Sequence, residues 1–213
     1  EAFEAGEGMP TFRRLIRDAA LAKLPEALRD SWKDRFSKQA VQLLPELPAA
    51  RTTVVKQWSM DDFSNLAGEL VKKRDAERGM KMFATARCVV CHRMGKQGGV
   101  RGPDLTTVAG RFSPRDLLVS ILKPSAVISP KYASTMFELS DGRVLSGHTL
   151  VTDFRSPTID LVTDALAPDK VVSFSKQQIV SRRHSPVSPM PKGLVDGLEK
   201  EEILDLLIYL LGK

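Results

Sequence analysis

Residues 86–95 read ARCVVCHRMG and contain both cysteines of this 213-residue chain. Cys88 and Cys91 are separated by two residues, and His92 follows directly. Two thiols at this spacing next to an imidazole admit three interpretations: a redox dithiol, half of a zinc site, or the attachment point of a haem. The choice among them decides the fold, because each kind of site belongs to a different architecture.

The zinc and dithiol interpretations fit the sequence poorly. A structural zinc ion needs four ligands, and the chain offers only His92, His148 and His184 beside its two thiols. A thioredoxin-like dithiol lies at a strand-to-helix junction, whereas these cysteines follow a predicted helix. In haem attachment each thiol bonds one vinyl group, and the next residue lies under the iron. We therefore predict one covalently bound haem c, anchored by Cys88 and Cys91 and ligated by His92.

The sixth iron ligand has to come from elsewhere in the chain. Met94 is too near His92 to reach the other side of the ring. Met190, in SPVSPMPKGL, stands between prolines that stiffen its loop, so we predict it as the ligand. Three other side chains remain candidates: Met136, His148 and His184. Of these, His184 is the best substitute if Met190 is not the ligand.

The stretch GPDL at 102–105 offers a partner for the proximal histidine. Such a histidine donates its second ring N–H to an oxygen, which fixes the orientation of the ring. We predict that the Pro103 carbonyl accepts this bond, with a simple Gly-Pro turn as the alternative interpretation.

Periodicity divides the chain into helices on either side of a strand-rich region. The period changes to two between about residues 131 and 182, with Asp141-Gly142 as a hairpin turn. Apolar spacing and caps predict helices from Thr11, from about Pro25, over 59–73, 75–86, 114–122 and 198–211.

The order of these features resembles class I cytochrome c: a helix with Gly79 and Phe83, then C-x-x-C-H, G-P-x-L, a methionine loop and a helix ending LIYL. The segments CVVCHRM, GGVRGPDLT, LLVSILKPSAVISPKY, DGRVLSGH and SPMPKGL resemble more specifically the PVC-type (Planctomycete/Verrucomicrobium-type) cytochrome c domain. The resemblance implies a mainly α fold around one haem, with first and last helices crossing closely at Gly79. It places the domain at 75–213, with a small antiparallel β insert at about 131–182, after an N-terminal helical segment at 1–74.

The function implied is single-electron transfer between redox partners rather than enzymatic catalysis. The family also suggests the haem module of a larger dehydrogenase-type protein. The alternative is a haem enzyme or gas sensor whose sixth ligand dissociates. Haem attachment of this kind takes place outside the cytoplasm, which predicts a periplasmic or otherwise extracytoplasmic protein. The chain starts at Glu1 without a methionine or leader, which we interpret as the start of a mature chain or of an expressed fragment.

The net charge of +6 and the pI of about 9.4 bear on partners. Lysines and arginines are spread along the chain with acids between them, which argues against nucleic-acid binding. A redox partner with an acidic docking surface is expected instead. No stretch is long and apolar enough to predict a membrane span, and the oligomeric state stays open.

Overall fold

The computed structural model describes residues 53–150, 155–167 and 170–212, together with residues 25, 28, 47–49 and 51. The helices predicted from Thr11 and Pro25 therefore lie outside the described residues, apart from Pro25 and Leu28. Residues Glu46–Lys213 make up one compact unit. In the described part of this unit, no helix is long and apolar enough to cross a membrane.

In the described residues, four α-helices precede the strands of the larger sheet and one follows them. Single 3-10 turns cover Met60–Phe63, Val108–Gly110, Pro130–Tyr132 and Lys176–Gln178. The predicted helix over 59–73 is two short pieces, because Ser64 and Asn65 favour caps over a helix interior. The other three predictions hold to within two residues. The α-helices are α1 (Leu66–Leu70), α2 (Ala76–Thr85), α3 (Cys88–Cys91), α4 (Pro114–Leu122) and α5 (Lys200–Leu210).

Helices α2 and α5 cross at Gly79, as the resemblance implies. A Cβ added at Gly79 would overlap the Asp205 carbonyl oxygen and lie 2.8 Å from Tyr209 Cβ. Beyond the crossing, the rings of Phe83 and Tyr209 pack with centroids 5.7 Å apart. A side chain at Gly79 would force the helices apart, so glycine is required here by the close packing of two backbones.

Asp205 is fully buried at the same crossing. Its carboxylate accepts a hydrogen bond from the Asp75 backbone N–H, at 3.1 Å, and forms an ion pair with Arg78. A buried carboxylate is tolerated because these donors replace its lost water. Both donors belong to the start of α2, so Asp205 fixes the register of the two helices.

The chain before α1 packs against the start of α5. The Trp58 indole donates to the Leu198 carbonyl at 3.0 Å, and the Val55 N–H donates to the Asp196 carbonyl at 2.8 Å. The guanidinium of Arg51 makes two bonds, at 2.6 and 2.8 Å, to the Glu202 carboxylate. Phe63 then enters the same apolar core as α2 and α5, which we call the first core. The described residues from 51 onward are thus attached to the helices that follow.

Seven strands form two antiparallel sheets in the described residues. A two-stranded hairpin, β1–β2, follows α3. The larger sheet has five strands in the order β6-β5-β4-β3-β7, and its β3–β4 turn falls at Asp141-Gly142 as predicted. The strands are β1 (Arg93–Met94), β2 (Gln97–Gly98), β3 (Thr135–Leu139), β4 (Val144–Leu150), β5 (Thr158–Val162), β6 (Val171–Ser175) and β7 (Ile179–His184).

The prediction of a mainly α fold is wrong. A five-stranded antiparallel sheet is a major part of the structure rather than a small insert. Directly paired residues share a face, and one face carries Phe137, Leu139, Leu161 and Phe174, all nearly fully buried. These four side chains form a second core, separate from the first. The larger sheet therefore forms a layer with its own hydrophobic core, and the prediction of a mainly α fold did not include this layer.

Gly79→Ala tests the helix crossing. The added methyl has no space between the two backbones, so we expect a loss of about 1–3 kcal/mol in the free energy of unfolding. Urea denaturation followed by circular dichroism measures it. Gly110→Ala is the matched control, because a Cβ at Gly110 has no neighbour within 4 Å. Equal stability of the two variants would show that the crossing is not tight.

Candidate functional site

The two thiols lie on one helical turn directly after α2. The chain leaves α2 at Arg87, whose left-handed φ of 63° allows a new helix to begin at Cys88. Cys88 and Cys91 are three residues apart on α3, so their side chains share a face. Neither forms a disulfide, and they differ in exposure: Cys88 is buried in the first core, whereas Cys91 is half-buried.

The surroundings of the thiols disfavour the redox-dithiol interpretation. Burial raises the pKa of Cys88 to about 12. Burial also raises the pKa of Cys91, and the positive charge of Arg101 partly opposes this. A reactive dithiol requires a lowered pKa, because the thiolate is the nucleophile. Cys88, buried in the first core, and the half-buried Cys91 both have raised pKa values, so the thiolate that a redox dithiol needs is disfavoured at both positions.

His92 is held by the loop that follows it. Its Nδ1 lies 2.9 Å from the Pro103 carbonyl oxygen, and because a carbonyl only accepts, the ring N–H must be on Nδ1. Burial lowers the pKa of His92, opposed by this hydrogen bond, so the ring is neutral at pH 7. In that tautomer Nε2 carries a lone pair, and Nε2 has no hydrogen bond to any residue the structure describes. The imidazole is therefore prepared to ligate a metal through Nε2.

The loop from Gly98 to Leu105 wraps closely around α3. The Gly99 N–H donates to the Val89 carbonyl at 2.8 Å, and the Gly102 N–H donates to the Cys91 carbonyl at 2.7 Å. A Cβ at Gly102 would lie 2.7 Å from Cε1 and 2.8 Å from Nδ1 of His92. Gly99 and Gly102 thus allow the loop to approach α3 and the His92 ring more closely than a side chain would permit.

Met190 lies on a restrained loop beside the first core. Its side chain is half-buried and packs against the core that contains Cys88. The Met190 N–H donates to Ser188 Oγ at 3.1 Å, and the Ser188 N–H donates to Ser125 Oγ at 3.0 Å. These bonds tie the methionine loop to the segment after α4, a link that sequence periodicity does not reveal.

The other candidate ligands are distributed between core and sheet. Met94 packs against the first core, like Met190. Met136 lies on β3 with its sulfur 3.6 Å from a guanidinium nitrogen of Arg183. His148 is half-buried on β4, and His184 is exposed at the end of β7. Among the described residues, no group of three or more His, Cys, Asp or Glu side chains is arranged to hold a metal ion.

These residues fit a covalently attached haem. The structure provides two thiols, not joined by a disulfide, on one face of a helical turn and a neutral imidazole with a free Nε2. It also provides a loop in which Gly102, having no side chain, leaves room for the His92 imidazole. Cys88 and Cys91 would hold the porphyrin, and His92 would face its iron.

The comparisons with known proteins agree with this chemistry. A family model described as cytochrome c matches residues 76–138, from the first residue of α2 into β3. This region is less than half of the chain; it contains the C-x-x-C-H motif and the Pro103 loop and ends before Met190. A comparison with curated proteins found no match. The match therefore supports a haem-binding, electron-transfer cytochrome c domain in this part of the chain, and the cofactor of such a domain is a covalently bound haem c with its iron.

Proposed function

We propose that this protein carries single electrons between redox partner proteins through one haem c with histidine and methionine ligands. Cys88 and Cys91 form the thioether bonds, and His92 and Met190 are the axial ligands. The observation that carries this proposal is the hydrogen bond from His92 Nδ1 to the Pro103 carbonyl, which leaves Nε2 free. Haem c supplies an iron that alternates between the ferric and ferrous states.

The residues around the site contribute to electron transfer by holding the two proposed iron ligands in fixed positions. Pro103 and Gly102 prevent rotation of the imidazole, and the serine bonds at Ser125 and Ser188 restrain the methionine loop. Ligands that keep their positions in both oxidation states minimise the rearrangement that accompanies each electron. The apolar side chains of the first core around Cys88 exclude water, which favours the less charged reduced state.

We further propose the domain bounds and the cytochrome c subtype that the sequence suggests. The domain extends over residues 75–213 and is of the PVC type, an interpretation supported by the sheet between α4 and the methionine loop. Domains of this kind occur as haem modules of larger dehydrogenase-type proteins, and we propose that context here. Cytochrome c domains are typically extracytoplasmic, so we propose a periplasmic location and a partner with an acidic docking face.

Mass spectrometry under denaturing conditions tests the covalent attachment. We expect the protein matured in an export-competent host to carry the added mass of one haem, and the Cys88→Ala/Cys91→Ala double variant to lose it. Met136→Ala serves as a control that keeps the added mass. Wild-type protein without added mass would contradict the proposal.

Met190→Ala tests the sixth ligand. Loss of the thioether leaves the iron five-coordinate or water-bound, so we expect a shift to high spin in the absorption spectrum and rapid carbon monoxide binding by the reduced protein. Met136→Ala is matched in chemistry and lies on the sheet, and its spectrum should equal that of wild type. If wild-type protein itself binds carbon monoxide readily, the domain is a ligand-binding haem protein instead.

Gly102→Ala tests the support of the imidazole. Its methyl would contact the His92 ring, so we expect a displaced ring, a changed spectrum of the reduced protein and a loss of about 1–3 kcal/mol in the free energy of unfolding. Gly110→Ala, with open space around the new methyl, should change neither quantity. An unchanged spectrum in Gly102→Ala would show that the loop does not position His92.

A further inference from the structure

The methionine loop runs from the end of β7 to α5, and its two halves are held by different parts of the chain. Before Met190, the Ser188 N–H donates to Ser125 Oγ at 3.0 Å. After Met190, residues 191–198 lead through turns to α5, which begins at Lys200. A loop held at one end alone can still open, so the contacts of the second half decide how firmly the methionine is placed.

A segment that precedes α1 lies against this second half. It consists of residues 53–58 together with Arg51, and we call it the strap. The Val55 and Lys56 N–H groups both donate to the Asp196 carbonyl, at 2.8 and 3.2 Å. The Trp58 indole donates to the Leu198 carbonyl at 3.0 Å. These two carbonyls follow Met190 by six and eight residues, so the strap binds the chain shortly after the methionine.

Arg51 extends the contact from the loop to α5. Its guanidinium bonds the Glu202 carboxylate at 2.6 and 2.8 Å, and its Nη1 lies 3.4 Å from the Gly197 carbonyl oxygen. A Cβ at Gly197 would lie 3.1 Å from Arg51 Cβ and 3.3 Å from the Thr53 carbonyl oxygen. The missing side chain at Gly197 therefore lets the strap and the loop approach closely.

Few apolar contacts attach the strap. Val54 and Val55 are 61% and 44% exposed, and Arg51 is exposed as well. Trp58 is half-buried against the first core, with its ring centroid 5.6 Å from that of Phe63. The Trp58 hydrogen bond and the Arg51 ion pair are therefore important for the attachment, and either can be removed without emptying a core.

The loop residues beside the strap leave little slack toward Met190. The Asp196 N–H donates to the Gly193 carbonyl and the Leu198 N–H to the Val195 carbonyl, both at 3.0 Å. Val195 and Leu198 are each 1% exposed and belong to the first core, against which Met190 packs. Consecutive turns anchored in a close-packed core transmit a displacement rather than absorb it.

We propose that the strap is the second anchor of the methionine loop, and that Trp58 and Arg51 are positioning residues that hold the Met190 thioether at the iron. This inference rests on the proposed function, in which Met190 is the sixth ligand. It assigns a role at the site to residues that precede the cytochrome c domain in the chain. When the strap is loosened, the loop opens more often, and the sixth position becomes accessible to an added ligand.

Trp58→Phe tests the strap in the haem-loaded protein. Phenylalanine keeps an aromatic ring beside Phe63 and removes the indole N–H that binds the Leu198 carbonyl. We expect the reduced variant to bind carbon monoxide about twofold to tenfold faster than wild type, the factor that corresponds to one lost hydrogen bond.

Hydrogen exchange measured by NMR on the same reduced protein locates the effect. The Ser188 and Met190 N–H groups should exchange faster in Trp58→Phe by a similar factor. The N–H groups of Gly99 and Gly102, which bind carbonyls of α3, serve as an internal control and should exchange at the wild-type rate.

Arg51→Gln and Lys72→Gln form a matched pair of variants. Each removes one positive charge from an ion pair with a glutamate, and Lys72 pairs with Glu69 of α1 at 2.9 Å. Arg51→Gln should accelerate carbon monoxide binding and exchange at Met190, whereas Lys72→Gln should change neither. Because Arg51 is exposed, this pair decides the question even if Trp58→Phe does not fold.

Three results would count against these assignments. If the strap variants lower the free energy of unfolding but leave carbon monoxide binding and exchange at Met190 unchanged, the strap is structural only and the inference is wrong. Equal acceleration at Gly99, Gly102 and Met190 would show general loosening and would also overturn it. Rapid carbon monoxide binding by wild-type protein would instead reject Met190 as the sixth ligand, and the exchange rates would still decide whether the strap anchors the loop.

Discussion

The close contact between α2 and α5 at Gly79 is the constraint on which the site depends. The Asp205 carboxylate accepts hydrogen bonds from the Asp75 backbone N–H and the Arg78 guanidinium at the start of α2, which prevents the two helices from sliding past each other. Because a buried carboxylate without partners is strongly unfavourable, this register is the one in which Asp205 is satisfied. Helix α2 ends at Thr85, two residues before Arg87, so the crossing also determines where α3 begins and which way its two thiols face.

The imidazole is then positioned almost entirely by backbone atoms. The N–H groups of Gly99 and Gly102 bind carbonyls of Val89 and Cys91, and the Pro103 carbonyl accepts the ring N–H. These three contacts involve no side chain other than that of His92. Glycines allow two backbones to approach in a way that any Cβ would prevent. The tautomer of His92, and hence the availability of Nε2, follows from the path of the loop.

Local features could be predicted from the sequence, and distant ones could not. The thiol spacing and the Asp141-Gly142 turn depend on neighbouring residues. So does the cap of α4, in which the Ser113 hydroxyl accepts a hydrogen bond from the Asp116 N–H. Strand β7 extends past the predicted end of the strand-rich region at about residue 182, because IVSRRH has no apolar alternation: it is an edge strand of which only Ile179 is half-buried. Asp205 occupies a position that a helical pattern assigns to solvent, and its burial depends on partners about 130 residues earlier in the chain.

The pairing of basic with acidic residues also depends on contacts between distant parts of the chain. In the sequence the basic residues are evenly spread, and net charge alone would assign no face to a partner. Folding brings Glu202, Glu201 and Asp205 of α5 to Arg51, Arg74 and Arg78, and so neutralises the side where the helices cross. The segment from Arg93 to Arg101 receives no such acid from α5. The packing that orients the thiols therefore also decides which basic residues have acidic neighbours, and Arg93 has Asp104 beside it rather than an acid of α5.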